Sequence, residues 1–302
     1  MIGGPCGNVC LRGINAATGQ KGHSDECRGA DTEKNARKLD IQSITCCSAS
    51  LVNPKTDTLK QEREFLDKVY ATYTVDHSLQ TKVMRGLIMR TFQPFLRRGR
   101  GLELGCSDGF MTEMISNQIE HLDVVDGSRK FLDVASKRNL PNVKFVHALF
   151  EEYTTTDQYD YVFASYILEH VLDPVAVMKM ARTVLKPGGL LMMVVPNARA
   201  LSRQLALHMG LIKNLKALTE NDHNHGHRRV YDRVDFNRHI DEAGFENVAQ
   251  GGIMLKILAD FQMDELIGGG MLKDAHVDGL YQLGLEYPDL CGSLFSIAKA
   301  KP

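Results

Sequence analysis

The chain is 302 residues long, 43% hydrophobic and 24% charged, with a formal net charge of −1. That balance excludes a nucleic-acid binder relying on a basic face, and no apolar run approaches the roughly 20 residues of a membrane span. A globular cytoplasmic protein with neither nucleic acid nor membrane as partner is expected, as a monomer or homodimer.

Residues 1–55 carry five of the seven cysteines, Cys6, Cys10, Cys27, Cys46 and Cys47, among many Gly, Asn, Ser and Thr. Their spacing matches neither a zinc pattern nor an even disulfide framework. No apolar periodicity is present either, so a disordered extension is expected. Residues 56–94 turn helical, with Phe65, Val69 and Tyr73, then Val83, Leu87 and Ile88, recurring at three- and four-residue steps. Tyr70, Tyr73 and His77 are placed here as part of a cover over a ligand pocket. Pro94 ends the pattern.

A single domain is expected over 95–302. Strands are predicted at 101–104, 121–125, 143–147, 161–165, 190–195, 252–258 and 294–300. Helices fall at 110–119, 129–137, 173–185 and 234–243, the third closed by Lys186-Pro187-Gly188-Gly189. Alternation of this kind predicts an α/β fold with a doubly wound, mostly parallel sheet. Insertions are expected at 198–230, as one or two helices bearing Leu201, Leu205, Leu207, Leu211 and Leu215, and at 262–289.

The densest signal is 101–109, Gly-Leu-Glu-Leu-Gly-Cys-Ser-Asp-Gly. A strand runs into a glycine turn and then a helix, so backbone N–H groups approach a ligand closely. Glu103 stands at the strand end, where a carboxylate serves an ammonium group. Asp126 closes the next strand 21 residues after Gly105, the spacing of a ribose-binding acid. Phe150 and Glu151 follow the third strand, and Ala164 and Ser165 end the fourth.

This block resembles the first motif of class I S-adenosylmethionine-dependent methyltransferases, with Ser107 where the family has its middle glycine. The stretch 159–174, Tyr-Asp-Tyr-Val-Phe-Ala-Ser-Tyr-Ile-Leu-Glu-His-Val-Leu-Asp-Pro, resembles the family's fourth-strand block, and 185–191 resembles its fifth-strand loop. The resemblance covers about residues 95–200, is of the small-molecule type, and is similar to the ubiquinone-biosynthesis-like methyltransferase domain. It implies a Rossmann-like seven-stranded sheet with N-terminal helices and helical lid insertions. It also implies S-adenosylmethionine as cofactor, S-adenosylhomocysteine as product, and Glu103, Gly105, Cys106, Ser107, Asp108, Gly109, Asp126, Gly127, Phe150, Glu151, Ala164 and Ser165 around the cofactor. Cys106 is read as lining the turn, not as a nucleophile.

Methyl transfer from a sulfonium is a direct in-line displacement, so the protein's work is to position the acceptor and remove its proton. Histidine suits that task. His170 follows the fourth strand, and the run 222–231, Asp-His-Asn-His-Gly-His-Arg-Arg-Val-Tyr, lies in the expected lid. His170, His223 and His227 are the candidate bases. Arg228, Arg229 and Tyr231 are candidates to hold a small polar acceptor, methylated on oxygen or nitrogen. No metal is expected, since no carboxylate pair beyond Asp222 stands beside these histidines. An NAD-type oxidoreductase and a non-catalytic S-adenosylmethionine-binding relative are the competing readings.

Overall fold

The computed structural model describes residues 54–72 and 78–302. The extension at 1–53, together with Tyr73 and His77, lies outside the described residues. Two helices open the described chain, α1 (Pro54–Thr72) and α2 (Leu79–Phe92), the second capped by the Ser78 side chain accepting from the Thr81 amide at 3.1 Å.

Seven strands follow: β1 (Arg100–Leu104), β2 (His121–Asp126), β3 (Val143–His147), β4 (Tyr159–Ser165), β5 (Leu185–Pro196), β6 (Phe245–Ile253) and β7 (Ser293–Ala300). They form one sheet in the order β3-β2-β1-β4-β5-β7-β6. Strands β1 to β5 are mutually parallel, and only β7 runs antiparallel to its neighbours β5 and β6. The α/β, doubly wound, mostly parallel seven-stranded sheet is thus as expected.

Between the strands lie α3 (Phe110–Ser116), α4 (Arg129–Ala135), α5 (Pro174–Val184), α6 (Leu201–His208), α7 (Glu220–Asn224), α8 (Arg233–Glu242), α9 (Asp260–Gly268) and α10 (Asp274–Glu286). Side chains alternate across the sheet as the period of two demands. On β4, Tyr161 and Phe163 join one core with Ile88, Phe92 and Ile115, while Val162 and Ala164 join the other with Val177 and Phe236. Each Val, Ile or Phe among them contributes about 1.5–3 kcal/mol on burial. From β1 the chain proceeds outward to β2 and β3, then returns to β4 on the other side. The C-terminal ends of β1 and β4 therefore flank a switch point, where a doubly wound sheet binds its ligand.

Three local expectations need correction. The strand placed at 252–258 is β6, which starts earlier in the chain and runs over Phe245–Ile253. Residues 186–189 do not simply close α5: the β4–β5 register jumps from Tyr159↔Leu185 to Tyr161↔Leu190, so they bulge from the start of β5. The apolar stretch at 198–220 is helical only over Leu201–His208, because Gly210, at φ 74, ends it and leaves Leu211 in solvent.

Candidate functional site

A cavity of about 850 Å³ opens at the switch point, large enough for a cofactor and a small acceptor together. Its floor is the turn after β1. The Gly105 amide donates to the Val125 carbonyl at 2.8 Å, and Gly105 itself sits at φ +72. A Cβ there would lie 2.3 Å from Ile167 Cδ1, so glycine is required by both conformation and space. Ser107 adopts φ 47, the left-handed region that a glycine would enter without strain.

Asp126, at the end of β2, accepts from the Cys106 amide at 3.0 Å and from the Ser128 amide at 2.7 Å. It thereby ties the glycine turn to the neighbouring strand while still lining the cavity. Burial pushes its carboxyl above the ordinary value, offset in part by those two amides. Glu103 is buried at the end of β1, and its Oε2 has no hydrogen-bond partner. Burial pushes this carboxyl up to about 8, with Thr112 and Arg85 acting against it and Asp126 and Asp108 adding to it. A buried carboxylate oxygen without a donor is costly. A ligand ammonium would relieve that cost, and Ser165 Oγ, also buried and unpartnered on the cavity wall, supplies a further polar contact. Gly127, Phe150 and Glu151 complete this half, and Leu66 of α1 leans over Gly127.

The opposite wall is made by the turn after β4 and the loop after α7. Asp222 organises it. Its Oδ2 accepts from the Thr219 amide at 2.8 Å, the Thr219 hydroxyl at 2.7 Å and Arg203 Nη1 at 3.3 Å. Its Oδ1 pairs with His227 Nδ1 at 2.9 Å. Burial alone would raise the Asp222 carboxyl, but the bonds from His227 and Thr219 hold it below the usual carboxylate range. The rings of His227 and His170 meet edge to face at 4.8 Å. His170 is driven down to about 3 by burial and by the neighbouring His227, so it is a neutral imidazole. Glu169 beside it is fully buried, raised to about 8 by burial, and neither carboxylate oxygen has a partner.

The methyltransferase-domain family model matches residues 75–250, more than half of the chain. The chain belongs to that family. It is a class I S-adenosylmethionine-dependent methyltransferase, and S-adenosylmethionine is its cofactor. Glu103, Ser165 and the Gly105 turn fit that group, whose sulfonium carries an electrophilic methyl. Two curated relatives are ubiquinone biosynthesis O-methyltransferases. That of Aeromonas salmonicida is 33% identical over 95 residues, 30% of this chain and 40% of that protein. That of Dinoroseobacter shibae is 24% identical over 164 residues, 53% of this chain and 65% of that protein. The matches thus span about half of these relatives' length. The crystal structure of the Burkholderia thailandensis 1,6-didemethyltoxoflavin-N1-methyltransferase, with bound 1,6-didemethyltoxoflavin and S-adenosylhomocysteine, shares the fold. Its TM-score is 0.52 at 14% identity, covering 84% of this chain and 93% of that one.

Within this methyltransferase the cavity gathers Glu103, Gly105, Cys106, Ser107, Asp126, Gly127, Phe150, Glu151 and Ser165, together with His170 and His227. Three expected cofactor residues stand outside it. Asp108 pairs with Arg85 at 3.0 Å, Gly109 packs on Ala135, and Ala164 is in the core under the sheet. The expected acceptor residues also lie elsewhere. Arg228 donates to the His170 carbonyl at 2.6 Å and to Glu62 at 2.8 Å. Arg229 caps the carbonyls of Leu168, Val171 and Leu172. Tyr231 is buried against Phe236 and His239. His223 is exposed on α7, and His225 lines the cavity in its place. Glu169, Asn197, Arg203 and Ser293 also line the cavity, and the sequence reading assigned them no role. Among the described residues no helix is long and apolar enough to cross a membrane.

Proposed function

We propose that this methyltransferase methylates an oxygen of a small polar acceptor seated between the Gly105 turn and the wall formed by Glu169, His170 and His227. The observation that carries the reading is Asp222 fixing His227 in a cavity whose other half is built for the cofactor. Asp222 selects the His227 tautomer and orients its ring, which leaves Nε2 for the acceptor side. Proton removal falls to this wall, because an oxygen nucleophile must shed its proton as the new O–C bond forms and the C–S pair returns to sulfur. The ubiquinone biosynthesis relatives, named as O-methyltransferases, favour oxygen over nitrogen.

On this reading Glu103, the Gly105 turn, Asp126, Phe150 and Ser165 hold the cofactor, and His170 and His227 face the acceptor. The test combines calorimetry with S-adenosylhomocysteine and a hydroxyl- and amine-bearing acceptor panel read by release of that product. Asp222→Asn is expected to lower turnover by about 10²–10⁴-fold, the scale of a general-base contribution, with the affinity for S-adenosylhomocysteine unchanged. Turnover confined to amines, or untouched by Asp222→Asn, overturns the reading.

A further inference from the structure

We propose that Lys256, with the paired hydroxyls of Tyr166 and Ser293, forms a subsite that holds a carboxylate on the acceptor, so that the acceptor class is a hydroxy acid. The inference rests on methylation of oxygen in this cavity and names the second group by which the acceptor is held. The cavity extends from the ends of β1 and β4 to the start of β7 and the loop after β6. Ser293 opens β7 and pairs with Pro196 of β5 on one side and Ile253 of β6 on the other. The sheet order sets β7 two strands beyond β4. Two spacings of about 4.8 Å therefore separate Ser165 from Ser293, a distance that a small acceptor bridges.

The Lys256 stem lies along the start of β7. A Cβ built on Gly292 would stand 3.3 Å from Lys256 Cβ and 3.6 Å from its Cε. Backbone bonds fix the segment: the Lys256 carbonyl accepts from the Ser202 amide at 3.1 Å, and the Met254 carbonyl accepts from the Gly292 amide at 2.9 Å. Two bulky residues adopt the left-handed region to build this corner, Tyr166 at φ 58 and Met254 at φ 56. Strain of this kind persists where the surroundings over-determine it, and it gathers at ligand sites.

The Tyr166 and Ser293 hydroxyls are 2.7 Å apart, and both residues line the cavity. Two hydroxyls joined by one hydrogen bond spend one proton between them and keep the other for a ligand. Burial raises the Tyr166 phenol, so it remains a donor.

Among the described residues the arginines and lysines lining the cavity are Arg85, Arg203 and Lys256. Arg85 pairs with Asp108 at 3.0 Å and lies over the Phe110 ring. Arg203 is spent on Asp222 and on the carbonyls of Leu215 and Ala217. Lys256 pairs with Asp260 at 2.5 Å, and the two side chains differ sharply in exposure, at 14% and 54%. An acid so exposed holds its partner weakly, so Asp260 turns into water when a ligand carboxylate replaces it. Asp264, the other acid of this wall, accepts the Gln80 amide at 2.9 Å. One ammonium and one hydroxyl proton match a single carboxylate, whereas a phosphate dianion would leave a charge unmatched.

The test titrates the full-length protein, with and without S-adenosylhomocysteine, by ligand-observed NMR with phenylacetate and with its uncharged amide, phenylacetamide. Neither probe carries a hydroxyl to methylate. Phenylacetate is expected to bind more tightly than the amide. Lys256→Met should weaken phenylacetate by about tenfold or more and leave phenylacetamide unchanged, and Lys256→Arg should restore most of the loss. Ser293→Ala should weaken phenylacetate by about three- to tenfold. Asp260→Asn removes the competing carboxylate and should tighten phenylacetate, a gain that a merely disturbed fold does not produce. Equal binding of acid and amide, or Lys256→Met and Asp260→Asn variants that are folded by circular dichroism and bind phenylacetate as the unmutated protein does, overturns the subsite. A panel of hydroxy acids and their matched amides separates the two readings. Hydroxyls methylated equally well in acids and amides remove the subsite and keep oxygen as the target. Turnover confined to amines overturns oxygen as the target, while the phenylacetate titration still decides the subsite.

Discussion

Arg228 Nη2 donates to Glu62 Oε2 at 2.8 Å, joining α1 to the loop that carries the histidines. The same guanidinium stacks on Phe65 at 4.1 Å and donates through Nε to the His170 carbonyl. The residue expected to hold a small polar acceptor is instead the clasp between the helical cover and the acceptor wall. Gly226, at φ +77, makes the clasp possible, since a Cβ there would meet Val69 at 2.6 Å. Arg228→Ala is expected to destabilise the protein by about 1–3 kcal/mol, because it removes a cation–π contact and leaves Glu62 partly buried without its partner. Release of S-adenosylhomocysteine should also quicken as α1 loosens. A thermal melt and a stopped-flow dissociation trace check both, and unchanged values remove the clasp.

Asp126 carries two duties in one carboxylate. It accepts the Cys106 and Ser128 amides, and it lines the cofactor half of the cavity. Asp126→Ala should weaken S-adenosylhomocysteine binding by about 1.5–3 kcal/mol, the worth of hydrogen bonds to a charged group, or at least tenfold in Kd. Isothermal calorimetry reads this, with circular dichroism showing that the sheet persists. An unaltered Kd would take Asp126 out of the site.

Phe163 on β4 is fully buried, with its ring 6.3 Å from that of Phe92 and 6.1 Å from that of Tyr161. Two and three residues on, Ser165 and the left-handed Tyr166 at φ 58 enter the cavity wall. Phe163→Ala should cost about 3–5 kcal/mol in urea unfolding, from lost burial and the void left behind. A loss below about 1 kcal/mol would mean that the sheet is not packed as described.

The β1 turn, Asp126 and the β4 block were legible because each is local: the strand, the glycines and the acid stand within a few residues of one another. What failed depended on distant partners. Arg228 and Arg229 look available in sequence, yet their hydrogen bonds reach Glu62, Leu168 and His170 in other elements. Glu169 stands in the turn after β4, and its complete burial follows from packing that the local sequence does not reveal. Strand β6 escaped because it lies at the sheet edge, where Glu246, Val248 and Gln250 alternate outward and dilute the apolar signal.

Glu103 gives the cofactor half a pH signature. Its carboxyl is held up to about 8 by burial, whereas in the unfolded chain it ionises at the ordinary value near 4.5. Between those values the native state binds the extra proton, so this residue's contribution to stability is largest below about 4.5 and is lost as pH rises toward 8. A ligand ammonium reverses the preference, since a nearby positive charge favours the carboxylate. Binding of S-adenosylhomocysteine below pH 8 should therefore release a proton, and affinity should climb with pH until it levels near 8. Calorimetry in buffers of different ionisation enthalpy counts that proton directly. Glu103→Gln should abolish both the release and the climb while lowering affinity at pH 8 by about 1.5–3 kcal/mol, the loss of a charge-assisted bond. Proton release that persists in Glu103→Gln would assign the titration to another group.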